Sequence, residues 1–220
     1  MLTAEFWQMT AQGLWETFYM VALSALFSYV IGLPLGLLLA VTDQEGLRPN
    51  PGVNKTFGTA VNLLRSVPFL IMVFLLNGFT RLIVGTTVGS IAMNPPLVIA
   101  AFPFVARLVE SSVREVDRGV IEAAESMGAS PWQIVTRVIL PEATPSLITG
   151  ATTATVTILG YSAMAGILGG GGLGAIAINY GYYRKVPSIM WVQVVILVIL
   201  VQLVQSIGNR IATRSDKRIR

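Results

Sequence analysis

The sequence contains no cysteine and no histidine. These absences exclude disulfides, thiolate and imidazole metal ligands, and catalytic centres built on a cysteine nucleophile or a histidine base. Charged residues are also scarce: they make up 12% of 220 residues, about half the share in a typical soluble domain. Instead, 54% of the residues are hydrophobic and the mean hydropathy is +0.70. Since several uncharged runs are long enough to cross a bilayer as helix, we expect an all-α integral membrane protein.

Five runs are predicted to form transmembrane helices, because each approaches or exceeds the length that spans a bilayer core. They lie at about residues 18–41, 58–80, 94–115, 145–165 and 187–207. The second run contains Arg65 and Pro68, and its helix is expected to begin before Arg65, since the uncharged stretch that follows is too short to cross alone. In the third run, Arg107, Glu110 and Arg114 follow one another at helical spacings, which predicts ion pairing along one face.

Five spans place the two termini on opposite sides of the membrane. The segment before the first span holds no lysine or arginine, whereas the tail of residues 212–220 and the turn before it are basic, at Arg210, Arg214, Lys217, Arg218 and Arg220. Basic residues favour the cytoplasmic side, so we predict an external N-terminus and a cytoplasmic C-terminus. Topology then explains the net charge of +4, and we expect no nucleic-acid partner.

The longest predicted cytoplasmic loop, residues 117–141, is polar and carries the signals of two short helices. Asp117 is placed to cap the first helix, and Gly128 to end it as the C′ residue. A capping-box pattern begins the second helix, at Ser130, Pro131 and Gln133. Pro141 is expected to stop that helix before the fourth span. Taken alone, such a loop is typical of an amphipathic elbow on the membrane surface.

The same loop carries a more specific pattern, which consists of Glu122, Ala123, Ala124, Gly128, Leu140 and Pro141. It resembles the EAA loop of ABC importer permeases. The resemblance implies that these residues form coupling helices, which dock on a cytoplasmic ATPase subunit. Small alanines permit close approach, and the glycine permits the chain to reverse. Val138 stands where many members of the family have isoleucine, which is a mild departure.

Residues 13–211 as a whole look like the transmembrane domain of the methionine-type ABC importer permeases. The stretches that carry this resemblance are GLWET from Gly13, RSVPF from Arg65, FTRLIVGTTVG from Phe79, PFVAR from Pro103, GYSAMAGILGGGGLG from Gly160 and NYGY from Asn179. The resemblance implies a permease homodimer in the bacterial inner membrane, with two ABC ATPase subunits and an extracytoplasmic methionine-binding protein. It further implies import of D- and L-methionine by alternating access.

The glycine run from Gly166 to Gly174 could suggest a phosphate-binding loop, but it lacks the Gly-Lys-Ser/Thr that such a loop needs. We therefore expect no cofactor in this chain, and the resemblance implies that ATP and magnesium bind to the partner ATPase. The run is expected to end the fourth helix in a pliable external turn. No enzyme active site is expected, because no nucleophile–base constellation is present. In the first span, Gly32 and Gly36 form a small-xxx-small pattern, which suits packing inside one subunit or a dimer seam.

One face of the fourth span groups small and hydroxyl side chains at helical spacing: Thr149, Thr153, Val156, Gly160 and Met164. This face could line a transport path, with Met164 as a soft apolar gate. Alternatively, the hydroxyls bond to carbonyl groups of their own helix and pack internally. The spans lack the buried acidic or lysine residues of a proton or sodium relay, which disfavours a secondary carrier.

Two other functions fit the same residues. One is a permease for another small amino acid or a quaternary amine, since no charged recognition group stands in the spans. The other is a membrane scaffold that does not transport and whose loop recruits a cytoplasmic partner. The scaffold predicts partner binding without ATP-dependent flux, and that difference separates it from both transporters.

Overall fold

The computed structural model describes residues 4–216, and every regular element in this part of the chain is a helix. Four long helices form the body of the molecule: α1 (Ala4–Thr42), α5 (Asn94–Arg114), α8 (Leu140–Ala165) and α10 (Pro187–Ser215). Shorter helices connect them: α2 (Pro51–Arg65), α3 (Phe69–Leu75), α4 (Asn77–Val84), α6 (Arg118–Ser126), α7 (Pro131–Ile134) and α9 (Gly172–Ile176). The expected all-helical fold is thus confirmed for these residues.

Four helical segments are long and apolar enough to cross a membrane: Ala4–Thr42, Ile91–Arg114, Pro131–Leu168 and Pro187–Ser215. A fifth span exists only if α2 and α3 are counted together, and these two helices meet at an angle of 100°. The first and last helices extend well beyond the runs predicted for them. The number of candidate spans is therefore four or five.

The second predicted span is not one continuous helix, which corrects the expectation for residues 58–80. Its helix does begin before Arg65, but it breaks at residues 66–68. Pro68 has no N–H group and disfavours helical geometry in the residue before it. The Ser66 hydroxyl donates to the Asn62 carbonyl at 2.9 Å and so helps to satisfy the end of α2.

Helices α1 and α5 pack closely where α1 presents glycine. A Cβ atom on Gly32 would lie 2.7 Å from Cγ1 of Val105, and one on Gly36 would lie 2.6 Å from Cβ of Val109. Any side chain at these two positions would push the helices apart, because real Cβ atoms do not approach so closely. The small-xxx-small pattern therefore serves packing inside one subunit.

The helix that begins at Pro131 does not stop at Pro141, contrary to the sequence prediction. It runs through a π-helical turn, Val135–Ile139, and continues without a break as α8. The Leu140 N–H donates to the carbonyl of Val135, five residues earlier. A π turn widens the helix by one residue, and this relieves the clash that Pro141 would otherwise make with the preceding turn. The second arm of the loop and the fourth span are thus one helix.

The glycine run is tightly packed, which corrects the expectation of a pliable turn. We call residues 166–174 the glycine elbow. A Cβ atom on Gly170 would lie 2.6 Å from Cγ of Met93. Glu16 accepts a hydrogen bond from the Gly172 N–H at 2.7 Å, and Thr17 Oγ1 accepts one from the Leu173 N–H at 3.0 Å. The elbow is therefore fixed to the N-terminal part of α1.

Candidate functional site

The polar loop of residues 117–141 folds as a hairpin, and its first arm has both of the caps that its sequence predicts. Asp117 accepts a hydrogen bond from the Gly119 N–H at 2.7 Å, which satisfies one free donor at the start of α6. Gly128 has a φ of +79°. Its N–H donates to the carbonyl of Glu125, and the next N–H donates to that of Ala124. These two bonds form a Schellman motif, in which glycine avoids the strain of the left-handed conformation.

The second arm begins with a complete capping box. The Ser130 hydroxyl accepts from the Gln133 N–H at 3.4 Å, and Gln133 Oε1 accepts from the Ser130 N–H at 2.8 Å. Pro131 occupies the first helical position, where its missing N–H costs nothing. Local capping therefore determines the shape of both arms.

The tip of the hairpin exposes large apolar side chains that the sequence reasoning did not single out. Met127 is 80% exposed and Trp132 is 75% exposed. Around them, Glu122, Ala123 and Gly128 are also exposed, whereas Ala124 is buried. A tryptophan inside the capping box, between Ser130 and Gln133 in a polar loop, was the available signal, since a monomeric surface rarely presents large apolar residues together. The predicted coupling residues thus lie on and beside an uncovered surface, and Leu140 and Pro141 lie further along the second arm.

Ion pairs attach the hairpin and the end of α5 to the turn that follows α1. Arg118 pairs with the Glu45 carboxylate at 2.7 Å. Arg114 pairs with Asp43 at 3.2 Å and with the buried Glu110 at 2.7 Å. On the same face, Arg107 also pairs with Glu110. The ion pairing predicted along this face is therefore present, and it extends to α1.

Arg107 also reaches α2. Its Nη2 donates to the Gly58 carbonyl at 3.0 Å and to Asn62 Oδ1 at 2.9 Å. One cluster of charged groups therefore joins α1, α2 and α5 directly beside the hairpin.

The predicted path face of α8 is not covered by the rest of the described chain. Thr149, Thr153, Gly160 and Met164 are exposed, and Val156 is partly buried. A Cβ atom on Gly160 would meet no atom within 4 Å. The alternative interpretation, in which the hydroxyls bond to carbonyl groups of their own helix, also holds in part, because Thr149 and Thr153 donate to the carbonyls four residues before them. The hydroxyls are satisfied by their own helix, yet the face stays open.

Part of this face borders a groove of about 320 Å³ between α8 and α10. Its lining residues are Thr149, Thr152, Thr153, Val156, Thr157, Gln205 and Asn209. The sequence reasoning missed the two amides, although their spacing of four places them on one face of α10. In the part of the chain that the structure describes, no charged residue lines the groove. Among residues 4–216, no group of three acidic, cysteine or histidine side chains could hold a metal ion.

Several helices long and apolar enough to cross a membrane, an uncharged groove beside one of them and an exposed capped hairpin are features that fit a multi-pass membrane transport subunit. Residues 32–220 match the family described as the inner membrane component of binding-protein-dependent transport systems, and the chain belongs to this family.

Two relatives with assigned names cover nearly the whole chain. The probable D-methionine transport system permease protein MetI of Vibrio cholerae is 50% identical over 93% of this chain and 91% of its own length. The methionine import system permease protein MetP of Bacillus subtilis is 46% identical over 97% of this chain and 95% of its own.

Solved structures agree with these relatives. One match is a chain of the MetNI methionine ABC transporter in an inward-facing conformation. Its TM-score is 0.96 and its identity is 43%, and the match covers 98% of this chain and 100% of the MetNI chain. A chain of an amino acid ABC transporter with histidines matches with a TM-score of 0.72 at 18% identity, over 97% of this chain and 95% of that one, and this likeness shows the shared fold alone.

Proposed function

We propose that this chain is the permease subunit of an ABC importer that carries D- and L-methionine across the bacterial inner membrane. The observation that carries the proposal is the near full-length similarity to two permeases named for methionine, at 50% and 46% identity. The match to a subunit of a methionine ABC transporter, with a TM-score of 0.96 and 43% identity, agrees with it.

The working assembly is a homodimer of this chain with two ABC ATPase subunits and an extracytoplasmic methionine-binding protein. The ATPases bind ATP and magnesium, and this chain supplies no nucleotide site. The glycine elbow is consistent with that division. Its N–H groups at Gly172 and Leu173 are engaged by Glu16 and Thr17, so they are not free to hold phosphate.

In our proposal the hairpin and the C-terminus lie in the cytoplasm, and the N-terminus and the glycine elbow lie outside. The distribution of basic residues supports this orientation. Arg210 and Arg214 lie in the last turns of α10, and Arg107, Arg114 and Arg118 lie in or beside the hairpin end of the molecule. The remaining basic residues of the tail, Lys217, Arg218 and Arg220, lie outside the described residues.

Residues 13–211 form the transmembrane domain in this proposal, and residues 117–141 form its coupling loop. Glu122 and Ala123 present an exposed surface to the ATPase, and Ala124 anchors that surface from its buried side. Gly128 supplies the reversal between the arms. Leu140 and Pro141 are the first two residues of α8, which is continuous with the second arm, so a displacement of the hairpin acts directly on the path helix.

The mechanism is alternating access. ATP binding closes the two ATPases and draws the two hairpins together, which rotates the spans and opens the path outward. The binding protein then delivers methionine from outside, and hydrolysis resets the path inward. Thr149, Thr153, Val156 and Gly160 line the path, and Met164 serves as an apolar gate. The openness of this face supports the assignment, since nothing in the described chain covers it.

Transport of labelled methionine into liposomes tests the proposal. Each liposome preparation contains this chain with its candidate ATPase, and the binding protein is added outside. We expect ATP-dependent uptake that requires all three components. Glu122→Lys and Gly128→Trp should abolish uptake while the chain still inserts and assembles. Lys185→Glu, an exposed charge reversal on the opposite predicted side, is the matched control and should transport normally.

Other outcomes identify which part is wrong. Assembly and ATP hydrolysis without methionine flux would indicate that the substrate is another small amino acid or a quaternary amine. Assembly without any ATP-dependent flux would favour the scaffold. Normal uptake by Glu122→Lys and Gly128→Trp would refute the coupling role of the hairpin.

A further inference from the structure

The groove between α8 and α10 contains polar groups that the fold itself does not use. Gln205 and Asn209 are exposed on α10, and among residues 4–216 neither side-chain amide has a hydrogen-bond partner. Gln205 lies inside the predicted fifth span, where an unsatisfied polar group facing lipid costs several kcal/mol. Gln205 therefore needs a polar surrounding, which the groove provides, and Asn209, just beyond the predicted span, lies in the same groove.

The two helices are held together at the same level. A Cβ atom on Gly208 would lie 2.6 Å from Cγ2 of Thr152, so glycine permits direct contact between α10 and α8. Gln205 and Asn209 stand on either side of this contact in the sequence and line the groove together with threonines of α8. Packing therefore fixes the amides opposite the hydroxyls.

The chemistry of the lining is complementary to an amino acid zwitterion. The Thr149, Thr152, Thr153 and Thr157 hydroxyls all donate to carbonyls of their own helix. Their oxygens therefore retain only acceptor capacity, which suits an ammonium group. The amides of Gln205 and Asn209 supply N–H donors, which suit a carboxylate.

We propose that this groove binds the transported amino acid through its main-chain ammonium and carboxylate groups, with Gln205 and Asn209 as the residues that bind the carboxylate. The inference rests on the proposed transport function and adds a binding site to it. Since none of the described lining residues is charged, we expect the binding to be weak. A transport path requires this, because a substrate that enters must also leave.

The same geometry predicts what the groove does not recognise. Among the described residues that line the groove, Val156 is the one apolar residue, and neither a methionine nor a charged residue is present. The groove therefore accepts zwitterionic amino acids with different apolar side chains. Selection for one side chain belongs to another component of the system.

A cysteine placed at Val156 tests the proposal, because the natural chain contains no cysteine. The complex of this chain with its ATPase is placed in liposomes and treated with a charged, water-soluble thiol reagent, and labelling is measured on this subunit alone. We expect Val156→Cys to be labelled rapidly. Leu203→Cys, an exposed position on α10 outside the groove, should be labelled slowly.

Ligands that carry different main-chain charges then test which groups of the amino acid the groove binds. Methionine and norleucine, which share both main-chain charges, should slow the labelling of Val156→Cys, whereas methioninol, which lacks the carboxylate, should not. Adding Gln205→Leu or Asn209→Leu should raise the methionine concentration for half protection about tenfold, as expected when one hydrogen bond to a charged group is lost. Adding Leu203→Ala should leave it unchanged.

Several results would overturn the groove as the binding site: slow labelling at Val156→Cys, protection by methioninol equal to that by methionine, or no protection by any amino acid. Failure of the proposed transport function is seen separately, in uptake by the unmodified complex. If methionine is not taken up but other amino acids protect Val156→Cys, the groove stands and the substrate assignment falls.

Discussion

The charged cluster beside the hairpin gives the most direct test of how the helices are held together. Glu110 is 4% exposed, and its two carboxylate oxygens each accept from a different arginine, Arg107 and Arg114. We predict that Glu110→Gln, which keeps the shape of the side chain and removes its charge, destabilises the assembled helices more than any exposed acidic substitution does.

The expected loss in the free energy of unfolding follows from how exposed the two arginine partners of Glu110 are. The Arg107 side chain is 26% exposed, and the Arg114 side chain is 51% exposed. A hydrogen bond between charged groups contributes about 1.5–3 kcal/mol, and we assign this range to the more buried pair. The half-exposed pair with Arg114 contributes about 0.5 kcal/mol. The expected total is therefore about 2–3.5 kcal/mol, which corresponds to a decrease in Tm of roughly 4–14 °C for a chain of this size.

The assay is thermal unfolding of the purified protein in detergent, followed by size-exclusion chromatography of the fraction that remains monodisperse. Glu115→Gln is the matched control. Glu115 is exposed at the end of α5, and among residues 4–216 it forms no ion pair. Its Tm should change by no more than about 2 °C. Equal decreases in the two variants would refute the reasoning, since burial would then make no difference.

Two further predictions concern glycines whose surroundings differ. Gly128 has a φ of +79°, and a Cβ atom on it would meet nothing within 4 Å, so backbone conformation alone should limit substitution there. Gly128→Asn should therefore retain most ATP-coupled uptake. Gly128→Val should lose most of it, because a β-branched residue tolerates this conformation poorly. Comparable uptake by the two variants would contradict this. Gly36→Ala should lower the Tm by a few degrees, since a Cβ atom there overlaps α5 at a cost of about 1–3 kcal/mol. Gly78→Ala, which meets nothing within 4 Å, should be neutral or stabilising in the same unfolding assay.

Local signals predicted the hairpin well. Asp117, Gly128 and the capping box at Ser130 act within a few residues of themselves, so their effect can be deduced from the sequence without knowledge of the fold. Pro141 shows where this reasoning stops. A proline in a helix removes one backbone hydrogen bond and crowds the preceding turn. A π turn can accommodate both effects, but no local sequence signal predicts a π turn here.

Features that depend on distant parts of the chain were not predictable in the same way. Hydropathy predicts the first span only from residue 18, because the residues before it are partly polar, whereas the helix begins at Ala4. Those polar groups are used in tertiary contacts, such as the bond between Gln193 and Thr10 at 3.1 Å and the one between Gly172 and Glu16. Gln205 and Asn209 were missed for the converse reason. Gln205 is one of three glutamines in the predicted fifth span and Asn209 lies just beyond it, and only the packing of α10 on α8 brings these two amides to the threonines.

The length of α1 has a mechanical consequence. The helix is held near its beginning by the bond from Glu16 to the glycine elbow and just after its end by the pair between Asp43 and Arg114. These two anchor points are 27 residues apart, about 40 Å along a helix axis, which exceeds the thickness of the hydrocarbon core. In the orientation that we propose, the helix is therefore fixed at both membrane surfaces. If it tilts about Pro34, which interrupts the hydrogen-bond ladder two thirds of the way from Glu16 to Asp43, its two ends swing in opposite directions, and one surface closes as the other opens.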